Sequence, residues 1–153
     1  MGVLAVPAKG VLYFAEKSKG AFRQALDTGP VQISAAKDPK EKVTVAKSRS
    51  HSSPQEDRII SSFGDVEEII AGSSLKFCYV AEGKADIYLR LGRTMEWDTA
   101  AGHCIAETAG AKIFDLRGAT LLYNKEGLDN SGFFCLGGRA DVAEKIKEYI
   151  QDS

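Results

Sequence analysis

Between Glu96 and Asp115 the chain reads EWDTAAGHCIAETAGAKIFD. A helix opening at Asp98 is predicted to run to Ala109 and to stop at Gly110, a natural left-handed position, and AKIFDL follows at once as a strand. A helix that hands over to a strand in so few residues is the repeating unit of a layered α/β domain. The same alternation is predicted from Val43 onward. VTVAKS reads as a strand, and Ser53, Pro54 and Glu56 open a helix to about Phe63 with a capping box and a proline at the first helical position. VEEIIAGSS is a strand ending in a Gly-Ser-Ser turn, and LKFCYVAEG is a helix closed by Gly83. ADIYLRL is a half-buried strand in which Ala85, Ile87, Leu89 and Leu91 alternate with polar or mixed residues. FFCLGG supplies a further strand, and Asp141 caps a last helix whose Val142, Ile146, Tyr149 and Ile150 share one face.

Upstream, residues 3–24 read as a hairpin: two strands joined by the turn PAKG, with Val11, Tyr13 and Ala15 alternating against Leu12, Phe14 and Glu16. The polar link SAAKDPKEK separates this hairpin from the strand at Val43. Two regions are therefore expected, residues 1–40 as the end of an antiparallel sheet with its linker, and 41–153 as an α/β domain in an α-β-α sandwich. A chain of 153 residues is long enough for a real core.

Twenty Lys and Arg balance 21 Asp and Glu, so no net field gathers nucleic acid or an anionic membrane, and any anion must be bound locally. No apolar run approaches a membrane span or a secretory signal, which points to a cytoplasmic protein. Cys78, Cys104 and Cys135 are odd in number, far apart and set among apolar or small residues, and are expected to be reduced core thiols. His103 and Cys104 point about 100° apart on a helix, which is unsuited to ligating one metal together with Cys135.

The run Thr99–Gly102 places the smallest residues directly after an acid. Small side chains leave helix N–H groups open to a phosphate, but a carboxylate at the same place repels one unless a divalent cation lies between them. Asp98 is thus a candidate Mg²⁺ ligand. It is equally a good N-cap, and small residues near a helix start also serve close packing. Spacing leaves both readings open.

WDTAAGHCIAETAGAKIFD resembles the C-terminal signature of the lithium-sensitive, magnesium-dependent phosphatase superfamily that includes inositol monophosphatases and bisphosphate nucleotidases. SRSHSS (Ser48–Ser53), GSSLKFCYVAEGKADIYLRLG (Gly72–Gly92) and the hairpin GVLAVPAKGVLYFAEKSKGAF are similar to the bacterial 3′(2′),5′-bisphosphate nucleotidase subfamily. That resemblance implies an inositol monophosphatase-like fold and removal of the 3′ phosphate of 3′-phosphoadenosine 5′-phosphate to leave AMP. It implies Asp98 as the metal ligand and catalytic residue, Mg²⁺ as cofactor, Ser48 and His51 as nucleotide contacts, and Gly72 and Lys76 near the 5′ phosphate. Read without it, His51 is a solvated loop residue and Lys76 the polar face of a helix. Arg90 and Arg93 reach phosphate or form surface ion pairs, and stay outside the site assignment.

The Asp-Pro-Ile/Leu-Asp-Gly-Thr motif that carries most metal ligands in the family is not among these residues. KDPKEK (Lys37–Lys42) lacks its second Asp and its Gly-Thr. One carboxylate does not assemble a metal cluster, so the chain is expected to be a C-terminal portion, inactive alone. Self-association, or pairing with the missing half, is expected through the open edge of the hairpin. Two other readings remain: an inositol monophosphatase-like phosphatase, and a non-catalytic nucleotide-binding fragment.

Overall fold

The computed structural model describes residues 1–35, 41–48 and 53–151. Strands β1 (Gly2–Val6), β2 (Val11–Glu16), β3 (Gly20–Ala25) and β4 (Val31–Ile33) form an antiparallel sheet in that order. A 3₁₀ turn at Pro7–Lys9, closed by left-handed Gly10 at φ 59°, joins the first two. The expected alternation holds in β2, where Val11, Tyr13 and Ala15 are buried. The stretch nevertheless folds as three strands rather than two, because it reverses again at residues 17–19.

The rest alternates as β5 (Val43–Lys47), α1 (Pro54–Ser62), β6 (Val66–Ile70), α2 (Leu75–Ala81), β7 (Ile87–Arg90), β8 (Thr94–Met95), α3 (Glu96–Thr108), β9 (Lys112–Asp115), β10 (Asp129–Asn130), β11 (Phe133–Leu136) and α4 (Ala140–Gln151). The larger sheet has the order β6-β5-β7-β11-β9. β5 is parallel to β6 and β7, whereas β11 is antiparallel to both its neighbours. β8 and β10 make a separate two-residue ribbon.

One apolar cluster joins Tyr13 and Ala15 of the small sheet, Phe77 and Val80 of α2, Ile105 of α3, and Tyr88 and Phe133 of the large sheet. A second joins Val45, Ile87, Leu89 and Phe134 to Ile59 and Ile60 of α1 and to Val142 and Ile146 of α4. The large sheet thus lies between two helical layers, with the small sheet outside α2 and α3. This layering explains a difference at β7. The sequence predicts a half-buried strand, but Asp86 and Tyr88 are as buried as Ile87 and Leu89, because the central strand of this sheet is covered on both faces. Asp86 Oδ2 accepts the Thr44 N–H at 2.8 Å, while its buried Oδ1 has no hydrogen-bond partner among the described residues.

Two helix starts also differ from expectation. α3 opens at Glu96 rather than Asp98, and Asp98 sits in its first turn, where its Oδ2 accepts the Met95 N–H at 2.9 Å. Asp141 likewise lies inside α4, paired with Arg139 at 2.6 Å, rather than capping it from outside.

Candidate functional site

Because β5 leads through α1 to β6, and β6 leads back across β5 through α2 to β7, the two crossover helices lie on opposite faces of the sheet. Such a reversal opens a crevice beyond the carboxyl ends of the strands, the usual ligand position in open α/β sheets. Here it is a cleft of about 160 Å³. The ends of β5 (Lys47, Ser48) and β7 (Tyr88, Arg90), the start of α2 (Ser73, Ser74, Lys76) and the start of α3 (Asp98, Thr99) line it together with Glu56 and Thr94.

Lys76 is only 3% exposed although it lies in the first turn of a helix, so the polar-face reading does not hold. Its Nζ donates to the carbonyls of Ser73 at 2.8 Å and Ala71 at 3.4 Å and stands 4.8 Å from the centre of the Tyr88 ring. Burial, aided by the Arg90 charge, pulls its pKa down to about 8. An ammonium has three N–H donors, and the two carbonyls leave one to turn toward an anion in the cleft.

Asp98 is exposed in the adjoining first turn of α3. Beyond the bond from Met95 its carboxylate keeps lone pairs open, and its own backbone carbonyl accepts the Ser74 hydroxyl at 2.5 Å, which ties α3 to the start of α2. Glu56, the other carboxylate in the lining, is committed: Oε1 accepts the Leu91 N–H at 2.7 Å and Oε2 the Ser53 N–H at 3.2 Å. Of the two carboxylates in the lining, Asp98 is thus the one with an oxygen that accepts no donor among the described residues. Among the described residues, no three His, Cys, Asp or Glu side chains are grouped to hold a metal ion.

Ser48, Lys76 and Asp98 of the sequence-derived set therefore share the cleft. Gly72 does not. It is exposed just ahead of α2, facing a neighbouring groove beside β1 and the 3₁₀ turn, and Ser73 rather than Gly72 carries the left-handed φ, 50°. His51 lies outside the described residues. Ser73, Ser74, Tyr88, Thr94 and Thr99 were not singled out by sequence reasoning. The GSSLK string already holds the serines, but only the crossing of α2 over the sheet turns them inward. Arg90, left aside, lines the cleft, while Arg93 makes the surface pair open to it, with Asp129 at 3.0 Å.

Of the two readings of the small residues of α3, the structure favours close packing. Ala100 to Gly102 lie inside the helix, not at its N-terminus. A Cβ on Gly102 would stand 2.6 Å from Phe77 Cδ2 of α2, and one on Gly2 of β1 would stand 2.8 Å from the Ala101 carbonyl oxygen. They let α3 press against α2 and the small sheet. The cysteines are free thiols, with Cys78 and Cys135 buried and burial pushing the Cys78 pKa up to about 12.

An open α/β sheet whose crossover crevice carries a buried lysine and an exposed carboxylate has the build of a protein that binds a small charged ligand. The chain belongs to the inositol monophosphatase family, whose profile matches residues 1–151. It is similar to the 3′(2′),5′-bisphosphate nucleotidase CysQ of Salmonella typhimurium, 40% identical over 134 residues that make up 87% of this chain and 53% of that protein. The CysQ of Escherichia coli is 38% identical over the same shares. Among solved structures, CysQ from Bacteroides thetaiotaomicron superposes with a TM-score of 0.77 at 39% identity, over 90% of this chain and 57% of that one. Staphylococcal IMPase-II, at 21% identity and a TM-score of 0.75, shares the fold over 99% of this chain and 56% of its own. The chain thus spans about half the length of the curated relatives it matches. No helix among the described residues is long and apolar enough to cross a membrane.

Proposed function

We propose that this chain provides the phosphate-binding side and one metal-ligating carboxylate of a cytoplasmic, Mg²⁺-dependent phosphatase that converts 3′-phosphoadenosine 5′-phosphate to AMP and phosphate. The observation that carries this reading is the meeting of Lys76 and Asp98 at one crevice, in the first turns of α2 and α3 that the Ser74–Asp98 bond ties together. The names of the relatives, 3′(2′),5′-bisphosphate nucleotidases, support the substrate class.

Lys76 presents its remaining N–H to a phosphate oxygen as a point charge in a site shielded from water, where such a contact is worth more than at the surface. Ser48 holds the nucleotide from the end of β5, with His51 assigned the same role by resemblance. Gly72, assigned to the 5′ phosphate by resemblance, lies just ahead of Ser73 and outside the cleft. Asp98, fixed by Met95, offers its open lone pairs to the metal. Bound Mg²⁺ would lower the pKa of a water and neutralise phosphoryl charge. Residues 1–40 belong, on this reading, with the part of the fold that brings the other metal ligands. β1 is an edge strand with Val3 51% exposed, so we assign self-association to that edge. A monodisperse monomer in light scattering would overturn that assignment.

The test is phosphate release from 3′-phosphoadenosine 5′-phosphate with Mg²⁺, wild type beside Asp98→Ala. Turnover that vanishes in the variant would make the chain a complete if minimal enzyme, whereas no turnover in either is the result expected of one half of a phosphatase. In that case AMP binding that Mg²⁺ strengthens in the wild type and not in Asp98→Ala supports the proposal, AMP binding indifferent to Mg²⁺ favours the non-catalytic nucleotide-binding reading, and preference for inositol monophosphate favours an inositol monophosphatase-like phosphatase.

A further inference from the structure

Behind Asp98 lies a polar network that the proposed chemistry does not use. Glu96, Thr99, His103 and Asn130 are all buried. Lys125 Nζ donates to Glu96 Oε1 at 2.7 Å, to the Leu122 carbonyl at 2.6 Å and to Asn130 Oδ1 at 3.0 Å. That uses every donor an ammonium has. Glu96 also collects the backbone N–H groups of Asn124 at 2.8 Å and Lys125 at 3.1 Å. Asn130, its oxygen held by Lys125, turns both amide hydrogens to threonines of the cleft, Thr99 Oγ1 at 3.2 Å and Thr94 Oγ1 at 3.3 Å.

Thr99 is the hub. Its hydroxyl accepts from Asn130 and, at 3.2 Å, from Tyr123, and donates to the Glu96 carbonyl at 3.2 Å. A hydroxyl has one donor and two acceptor sites, so Thr99 has nothing left for a ligand although it lines the cleft. Tyr123, having given its proton to Thr99, is held on its other side by His103 Nδ1 at 2.9 Å. Burial lowers the His103 pKa.

We infer that Lys125 and Asn130, acting through Glu96 and Thr99, are positioning residues: a clamp from the 122–130 loop that holds the first turn of α3, and with it Asp98, at the cleft. The metal role of Asp98 rests on the function proposed above, whereas the clamp itself does not. A closed, fully satisfied network fixes a single geometry, and partners of this kind orient the groups that bind metal.

Trp97, the single tryptophan, is 67% exposed between Glu96 and Asp98 and reports on this turn. The experiment compares Trp97 fluorescence anisotropy in wild type, Lys125→Met, Asn130→Leu, Thr99→Val and Thr99→Ser, at a temperature where circular dichroism finds all folded. Thr99→Val keeps the volume and reads the hub even where Asn130→Leu does not fold. Anisotropy is expected to fall in the first three variants and to stay at the wild-type value in Thr99→Ser; unchanged anisotropy in all of them overturns the clamp. A Mg²⁺ titration followed by Trp97 emission is expected to show a midpoint raised about tenfold in Lys125→Met. An unshifted midpoint despite lowered anisotropy overturns the link to Asp98. No wild-type response to Mg²⁺ counts against the metal reading of the proposed function, and the anisotropy comparison then decides the clamp alone.

Discussion

Gly102 of α3 lies against the ring of Phe77 of α2 so closely that an added Cβ would meet Cδ2 at 2.6 Å, Cγ at 2.9 Å and the Phe77 Cβ at 3.0 Å. The ring has nowhere to go, since it stacks on Phe133 at 5.2 Å and meets Tyr88 edge-on at 5.1 Å. This contact sets the spacing of the two helices whose N-terminal turns form one side of the cleft.

Gly102→Ala tests that contact with a clear sign. Alanine favours a helix interior over glycine by about 1 kcal/mol, but overpacking a rigid core costs about 1–3 kcal/mol. Because the clash includes the Phe77 Cβ and not only a mobile tip, the second effect dominates. Urea unfolding is expected to show a net loss of about 1 kcal/mol; a gain would mean that α2 and α3 separate freely.

Glu56 links the start of α1 to the end of β7 through the Ser53 and Leu91 N–H groups. Bonds from backbone amides to a buried carboxylate are worth about 1.5–3 kcal/mol, so Glu56→Ala is expected to lower stability by about 2 kcal/mol. Glu56→Gln keeps an acceptor for Leu91 but turns an amide toward the Ser53 N–H, and should lie between the two. Equal stability of all three in thermal melts would show that this bridge contributes nothing.

Much of this was legible locally. The Ser53–Glu56 capping box, the stop at Gly110 and the alternation in β2 depend on neighbours within a few residues, and all are present. The start of α3 was not legible, because the Glu96 N–H is held by the Leu128 carbonyl at 2.9 Å and its carboxylate by Lys125, both from a loop about thirty residues on. The burial of Asp86 and Lys76 was hidden for the same reason. A charged residue reads as solvent-facing until its distant or buried partners are in place, here the Thr44 N–H on one oxygen of Asp86 and the Ser73 carbonyl for Lys76. The acid followed by small residues already offered Asp98, family resemblance named Ser48 and Lys76, and the geometry added Tyr88, Ser73 and the threonines.

The small sheet is fastened to α2 chiefly at Glu82, which takes the Tyr13 hydroxyl at 3.0 Å, Lys84 at 2.8 Å and Arg23 at 3.6 Å. Burial and the Glu82 carboxylate together raise the Tyr13 pKa well above the usual phenol value, so the phenol stays a donor throughout the neutral range. Glu82→Ala leaves that donor and the Arg23 charge without their acceptor, at a cost of about 2–3 kcal/mol. Hydrogen exchange should accelerate in β1–β3 before it does in β5 and β7. Uniform acceleration across both sheets would mean that they open as one unit.

Lys76 ties stability and binding to pH in opposite directions. Its pKa in the fold is about 8, below its ordinary value near 10.5. Below pH 8 both folded and unfolded chains carry this proton, and the charge is a constant burden on the fold. Between about pH 8 and 10.5 the folded chain releases the proton first, the unfolded state binds more protons, and stability rises with pH. Lys76→Met removes the burden and is expected to stabilise the protein at pH 7 by about 1–2 kcal/mol, since replacing a buried charge by an apolar group of similar length is often favourable. The same change should abolish the anion site. In the wild type, AMP affinity measured by calorimetry from pH 7 to 9.5 is expected to fall above about pH 8 as the ammonium is lost, while the phosphate charge stays constant over that range. A flat affinity profile across those pH values, or a Lys76→Met variant that still binds AMP, would remove Lys76 from the phosphate site.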